Sequence, residues 1–148
     1  MENSENNYNK SLDGLWKPID PYEVEMTLLA YCFRSPQLAF RILLQRFNYD
    51  GIFEDRRASL LAGSLRCLSV YEESFKHPTI VSELCHQMSL RCDNLWEANV
   101  LVREIVERRE ELNAMPPNRI KQLATRGLLH LSLRADRIEM ENAKKEDL

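Results

Sequence analysis

Residues 20–47 read DPYEVEMTLLAYCFRSPQLAFRILLQRF, and two helix starts of one kind lie inside that stretch. Asp20 precedes Pro21 and Ser35 precedes Pro36, so each pair offers an N-cap oxygen followed by a proline for the first helical position. A proline loses nothing there, because its missing N–H would find no partner in the first turn. Tyr22, Met26, Leu29 and Phe33 recur on one side of the first segment, with Val24, Leu28 and Tyr31 beside them. In the second, Phe40, Leu43, Leu44 and Phe47 stand at helical spacing, while Gln37, Arg41 and Gln45 form a polar stripe. Only Arg34 and Ser35 remain for a turn, which predicts two helices folded back on each other. Their apolar face must be covered by the rest of the chain.

The 148 residues are enough for one domain with a real core. A hydrophobic content of 44% with 29% charged residues fits a globular protein, and a net charge of −3 gives no reason to expect whole-surface binding to nucleic acid. Four glycines are too few for a fold of many tight turns. There is no run of eighteen apolar residues, and the opening MENSENNYNK is polar, so neither a membrane span nor a secretory signal is expected. The sequence therefore reads as intracellular and cytoplasmic. Cys32, Cys67, Cys85 and Cys92 fall in or beside apolar helical stripes and form no C-x-x-C pair, which predicts reduced thiols packed as small hydrophobes. A metal site using Cys85, His86 and Cys92 would match no common zinc spacing.

Residues 1–17 are rich in Asn, Ser and Glu and read as a disordered tail, with Trp16 expected to lay it onto the domain. A single helical domain is expected over 18–142, with a frayed end at 143–148. After the hairpin, Asn48, Asp50 and Gly51 supply a turn. A third helix is predicted from about Asp55 to Glu73, with Ala58, Leu61, Ala62, Leu65, Leu68 and Tyr71 inward; its Gly63 would permit a close helix crossing. The fourth, about Thr79 to Leu90, carries Val81, Leu84, Cys85 and Met88 on one face. The fifth, about Leu95 to Leu112, turns Ala98, Leu101, Val102, Ile105 and Leu112 inward. Its charged end, Glu107 to Glu111, reads as a solvated face with a Glu104–Arg108 pair. Pro116 and Pro117 then open a sixth helix, about Asn118 to Met140. The fold class is all-α: a compact bundle of about six helices that begins with a hairpin.

Motifs for chemistry are missing. The sequence contains no phosphate-cradling glycine loop, no H-E-x-x-H and no G-x-S-x-G. His77 falls at a turn, His86 on the surface of the fourth helix and His130 on the sixth, and catalysis would need one of them to meet a nucleophile or carboxylate across helices. Glu23 and Glu25 open the first helix, where its dipole accounts for them. Glu83 and His86 give a single Glu-x-x-His spacing, where the carboxylate-bridged metal centre of a helical bundle uses two. No enzyme activity, cofactor or metal is expected.

The sixth helix carries the most informative surface. At 100° per residue Ile120, Ala124, Gly127, Leu131 and Ile138 share one face, while Arg119, Arg126, His130 and Arg137 share a stripe beside it. Leu128, Leu129 and Leu133 widen the apolar part, so more than one side of this helix could be covered. Three readings stand: a central helix with a solvated basic edge, a protein-docking face, or a nucleic-acid-binding edge without interleaved aromatics. As a docking face its residues are Arg119, Arg126, His130, Leu133 and Arg137.

The pattern EVEMTLLAYCFRSPQLAFRILLQRF resembles the opening of the N-terminal domain of bacterial replicative helicases and the related C-terminal helicase-binding domain of bacterial primases. In both, an acidic residue precedes a leucine-rich helix, a short turn ends in proline, and a second helix follows with a Pro-Gln-Leu-like start. Phe53, Glu54 and Asp55 with the third helix, and HPTIVSELCHQM at 77–88, are similar to the segments that follow in the helicase domain. The likeness covers about residues 22–90, and the fifth helix is longer here than its counterpart. These family domains are non-catalytic and hold replication proteins together. The resemblance implies a helical adaptor with a helicase or primase as partner. A regulator binding nucleic acid through Arg119, Arg126 and Arg137 is the alternative, and self-association into a homodimer is open.

Overall fold

Both proline-led helix starts form as their spacing predicts. Asp20 accepts a hydrogen bond from the Tyr22 N–H at 3.0 Å, and Ser35 Oγ accepts from the Gln37 and Leu38 N–H groups at 3.2 and 3.5 Å. The structure, a computed structural model, describes residues 20–146. The expected tail at 1–17, Trp16 included, lies outside the described residues. The six helices are α1 (Pro21–Cys32), α2 (Pro36–Ala39, continuing as a π-helix over Phe40–Arg46), α3 (Arg56–Tyr71), α4 (Ile80–Ser89), α5 (Leu95–Asn113) and α6 (Pro117–Glu146). The described residues contain no strand, so the fold is an all-α bundle.

The centre of the bundle is α1. Val24, Met26, Leu28, Leu29, Ala30 and Cys32 are all buried, and such burial all round marks a helix enclosed by others. Its principal neighbours are α6 and α5, with α3 next, while α4 closes the far side by packing on α3 and α5. Phe33, just past its end, sets its ring 5.6 Å from that of Phe75. The inner faces of α3, α4 and α5 are those the periodicity indicates: Leu61, Leu65 and Leu68, then Leu84 and Met88, then Leu101, Val102 and Ile105 are buried.

Regular spacing fails in α2. The Phe47 N–H bonds to the Ile42 carbonyl, an i→i−5 bond, and the wider turn changes which residues face inward. Ile42, Leu43 and Phe47 are buried, whereas Phe40, expected inside, lies at the surface. The carbonyls at the end of the turn are satisfied from outside the helix: Arg66 donates to the Leu43 and Phe47 oxygens at 2.8 and 3.0 Å. Tyr71 also departs from expectation. It is exposed because α3 ends there, the next N–H closing on Leu68 and the chain turning extended at Glu72.

Two further expectations are corrected. The charged end of α5 is only partly a solvated face, because both of its arginines turn inward. Arg108 bonds Glu23 and Glu104 at 2.8 Å, and Arg109 donates to the carbonyls of Phe33 and Phe75 while lying 4.1 Å from the centre of the Phe33 ring. The last helix runs past its expected end near Met140. It continues to Glu146, supported by the Glu141/Lys145 spacing and by Lys144 and Lys145 at the negative end of its dipole.

The close helix approach occurs at Gly127, not at Gly63. A Cβ at Gly63 would meet only the flexible Arg91 side chain, but one at Gly127 would come within 2.7 Å of Leu28 Cβ. Replacing Gly127 with alanine therefore opposes a helix-propensity gain of about 1 kcal/mol to a steric cost of roughly 1–3 kcal/mol against a Cβ that cannot swing away. The expected outcome is a net loss of stability, measured as a lower denaturation midpoint for G127A.

Candidate protein-docking face

The last helix contains 30 residues, about 45 Å at 1.5 Å per residue. It packs mainly on α1, and its buried residues Ile120, Ala124, Gly127, His130, Leu131 and Ala135 follow that contact. It is therefore an outer helix covered along one side, not a central one. Near the opposite side Leu129, Leu133 and Met140 are 59%, 55% and 64% exposed. Arg119, Arg126 and Arg137 are exposed along the same outer surface.

Of the five residues expected to form a docking face, Arg119, Arg126, Leu133 and Arg137 are exposed on α6. His130 is not part of it. Only 8% exposed, it reaches the Glu25 carboxylate at 2.7 Å. The basic stripe borders the buried face, and at His130 the edge has turned under α1.

That contact also corrects the account of Glu25. It is 0% exposed, and its two oxygens accept from the backbone N–H groups of Glu54 and Asp55 at 2.8 and 2.9 Å. With the carboxylate acting as acceptor throughout, the hydrogen shared with His130 lies on Nε2. The helix dipole alone does not explain a carboxylate in this position. Its signal in the sequence was register: Glu25 stands three and four residues before the buried Leu28 and Leu29. Asp55 in turn caps α3 by accepting from the Arg57 and Ala58 N–H groups, and the Arg57 guanidinium hydrogen-bonded to it holds its carboxyl below the usual range. Arg134 completes the cluster by donating to the carbonyls of Gly51 and Ile52 at 2.7 and 2.6 Å. Gly51 takes a positive φ of 77° in that turn.

A histidine and a carboxylate from separate helices can serve catalysis, but here every oxygen of Glu25 is already occupied and sealed from solvent. The pair joins α1, the 48–55 turn and α6. Elsewhere a cleft of about 500 Å³ runs along Pro36, Phe40, Arg41 and Glu72, and one of about 600 Å³ along Arg34, Lys76, Arg109 and Glu110. Neither is lined by a histidine or a cysteine. No three His, Cys, Asp or Glu side chains among the described residues are placed to hold a metal ion. Burial raises the Cys32 thiol, and burial with the nearby Glu97 pushes Cys92 up to about 11, so both stay protonated near neutral pH. None of the helices described is long and apolar enough to cross a membrane.

Compared with protein-family models, curated proteins and solved structures, the chain matches none.

Removing either member of the buried pair leaves the other without its partner. E25A and H130A are each expected to cost about 2–4 kcal/mol in chemical denaturation, and the double variant less than their sum. The Asp55 contribution has a definite sign in pH. Because its folded pKa is lowered, the stabilisation is complete above the ordinary Asp range near 4 and is lost as pH falls through the lowered value. A stability-against-pH series should find that part of the acid limb missing in D55N.

Proposed function

We propose that this chain is a non-enzymatic helical module for protein–protein interaction, with the outer face of α6 as its docking surface. One observation carries the reading: a helix of 30 residues is anchored along one side and presents Leu129, Leu133 and Met140 among exposed arginines elsewhere. Apolar anchors with a cationic rim suit a protein surface that carries carboxylates at its edge. Burial of the inner face of α6 against α1 supplies the rigid mount that docking requires.

The specific form of the proposal takes a replicative helicase or a primase as the partner. Its support is the resemblance of residues 22–90 to helical domains that join those proteins. Titration of a labelled helicase or primase with this protein is expected to saturate in the micromolar range, on the order of 8 kcal/mol of binding free energy. The double variant R126E/R137E should weaken that binding by about tenfold or more while keeping the helical circular dichroism unchanged. No saturation by about 100 µM, some 5.5 kcal/mol, overturns the replication partner. DNA added in the same assay should not bind; a salt-sensitive mobility shift lost in R126E/R137E would instead favour a nucleic-acid regulator.

A further inference from the structure

The outer face of α6 has an order of its own. Gln122, Arg126, Leu129, Leu133, Asp136 and Met140 are all exposed, and they are spaced four, three, four, three and four residues apart. That alternation is the seam of a coiled coil, and it lies on the side of the helix opposite the contact with α1. The same face borders a depression of about 570 Å³ lined by Asn118, Lys121, Gln122, Thr125, Arg126 and Leu129, all of them α6 residues. A groove with one wall needs a second helix to complete it.

We infer that the occupant of this seam is α6 of a second copy of the chain, running antiparallel about a two-fold axis between Leu129 and Leu133. The inference rests on the reading of this face as a docking surface, and the second copy holds it when no other protein does. The charge pattern selects the partner. With the axis at that point, Leu129 lies level with the second copy's Leu133, Arg126 with its Asp136, and Gln122 with its Met140. Every layer then occurs twice, as an isologous interface requires. A parallel pairing would set Arg126 against Arg126 and Asp136 against Asp136, placing like charges together at both positions. Neither residue is engaged within the protomer: Arg126 and Asp136 take part in none of the ion pairs among the described residues.

The seam from Gln122 to Met140 spans about 27 Å at the α-helical rise, about five turns of each helix of the pair. Two leucines per protomer make a small apolar centre, with Met140 at either end, so the dimer is of moderate affinity. The Arg126–Asp136 layers fix direction and register more than they add strength, as single polar layers do in coiled coils.

Sedimentation velocity over a concentration series tests the inference on the full chain. The expected result is a reversible monomer–dimer equilibrium in the micromolar range. L133D, a change at an exposed position, should raise the dimer dissociation constant at least about tenfold without altering the thermal midpoint of the dilute protein. R126D and D136R should each weaken association, and the double swap R126D/D136R should restore it, because the layer is rebuilt with its signs exchanged. A protein monomeric at about 100 µM overturns the second copy as occupant, as does a dimer indifferent to L133D. Failure of the double swap to restore association overturns the antiparallel register. If a monomeric protein still binds helicase and loses that binding in L133D, the docking face stands while self-association falls. A monomer that binds nothing through this face removes both.

Discussion

A single buried carboxylate holds the architecture to one arrangement. Glu25 sits in the central helix with no contact to water, and it is kept there by three donors from two other parts of the chain: His130 of α6 and the backbone N–H groups of Glu54 and Asp55. Burying such a group without partners would cost several kcal/mol, so the fold is acceptable only where all three donors converge. Apolar packing could accept small slides of α6 along α1. The hydrogen bonds of Glu25 do not, and they set α6 to the same register that puts Gly127 against Leu28.

The consequences spread outward from that point. The two backbone donors lie immediately before α3, and Asp55 caps that helix, so the carboxylate positions the start of α3 as well as the length of α6. Arg134 binds the preceding turn through two carbonyls, bringing a second α6 side chain to the same loop. With its inner side taken by α1, α6 can present its outer side as a straight, supported rod. The arginines that look alike in sequence separate here: Arg134 serves the interior, while Arg126 and Arg137 face solvent.

The functional reading follows from how polar groups are used. Glu25, Arg66 and Arg109 direct their hydrogen bonds largely to backbone groups, and Arg108 ties α5 to α1 through the side chains of Glu23 and Thr27. Among the large apolar residues left exposed, Leu129, Leu133 and Met140 of α6 are ordered at coiled-coil spacing. A surface with that order is suited to another helix.

The sequence by itself determined the helices and most of their inner faces. Local signals suffice for both: an N-cap oxygen followed by proline opens α1 and α2, and apolar spacing of three and four residues marks the buried sides of α3, α4 and α5. It also singled out α6, and Arg119, Arg126, Leu133 and Arg137 on it, because a run of basic and apolar residues on one helix is visible without coordinates. Tertiary structure alone decided what depends on residues far apart in the chain. Glu25 and His130 are separated by 105 positions, so neither could be told from a surface residue until α1 and α6 were in contact. The inward turn of Arg108 and Arg109 needed the carboxylate and carbonyls of other segments. The π-helical turn in α2 needed Arg66 of α3 to take up its end carbonyls. Which side of α6 stayed open was likewise settled by packing, since a helix with apolar residues on two sides does not state in its own sequence which side its neighbours will cover.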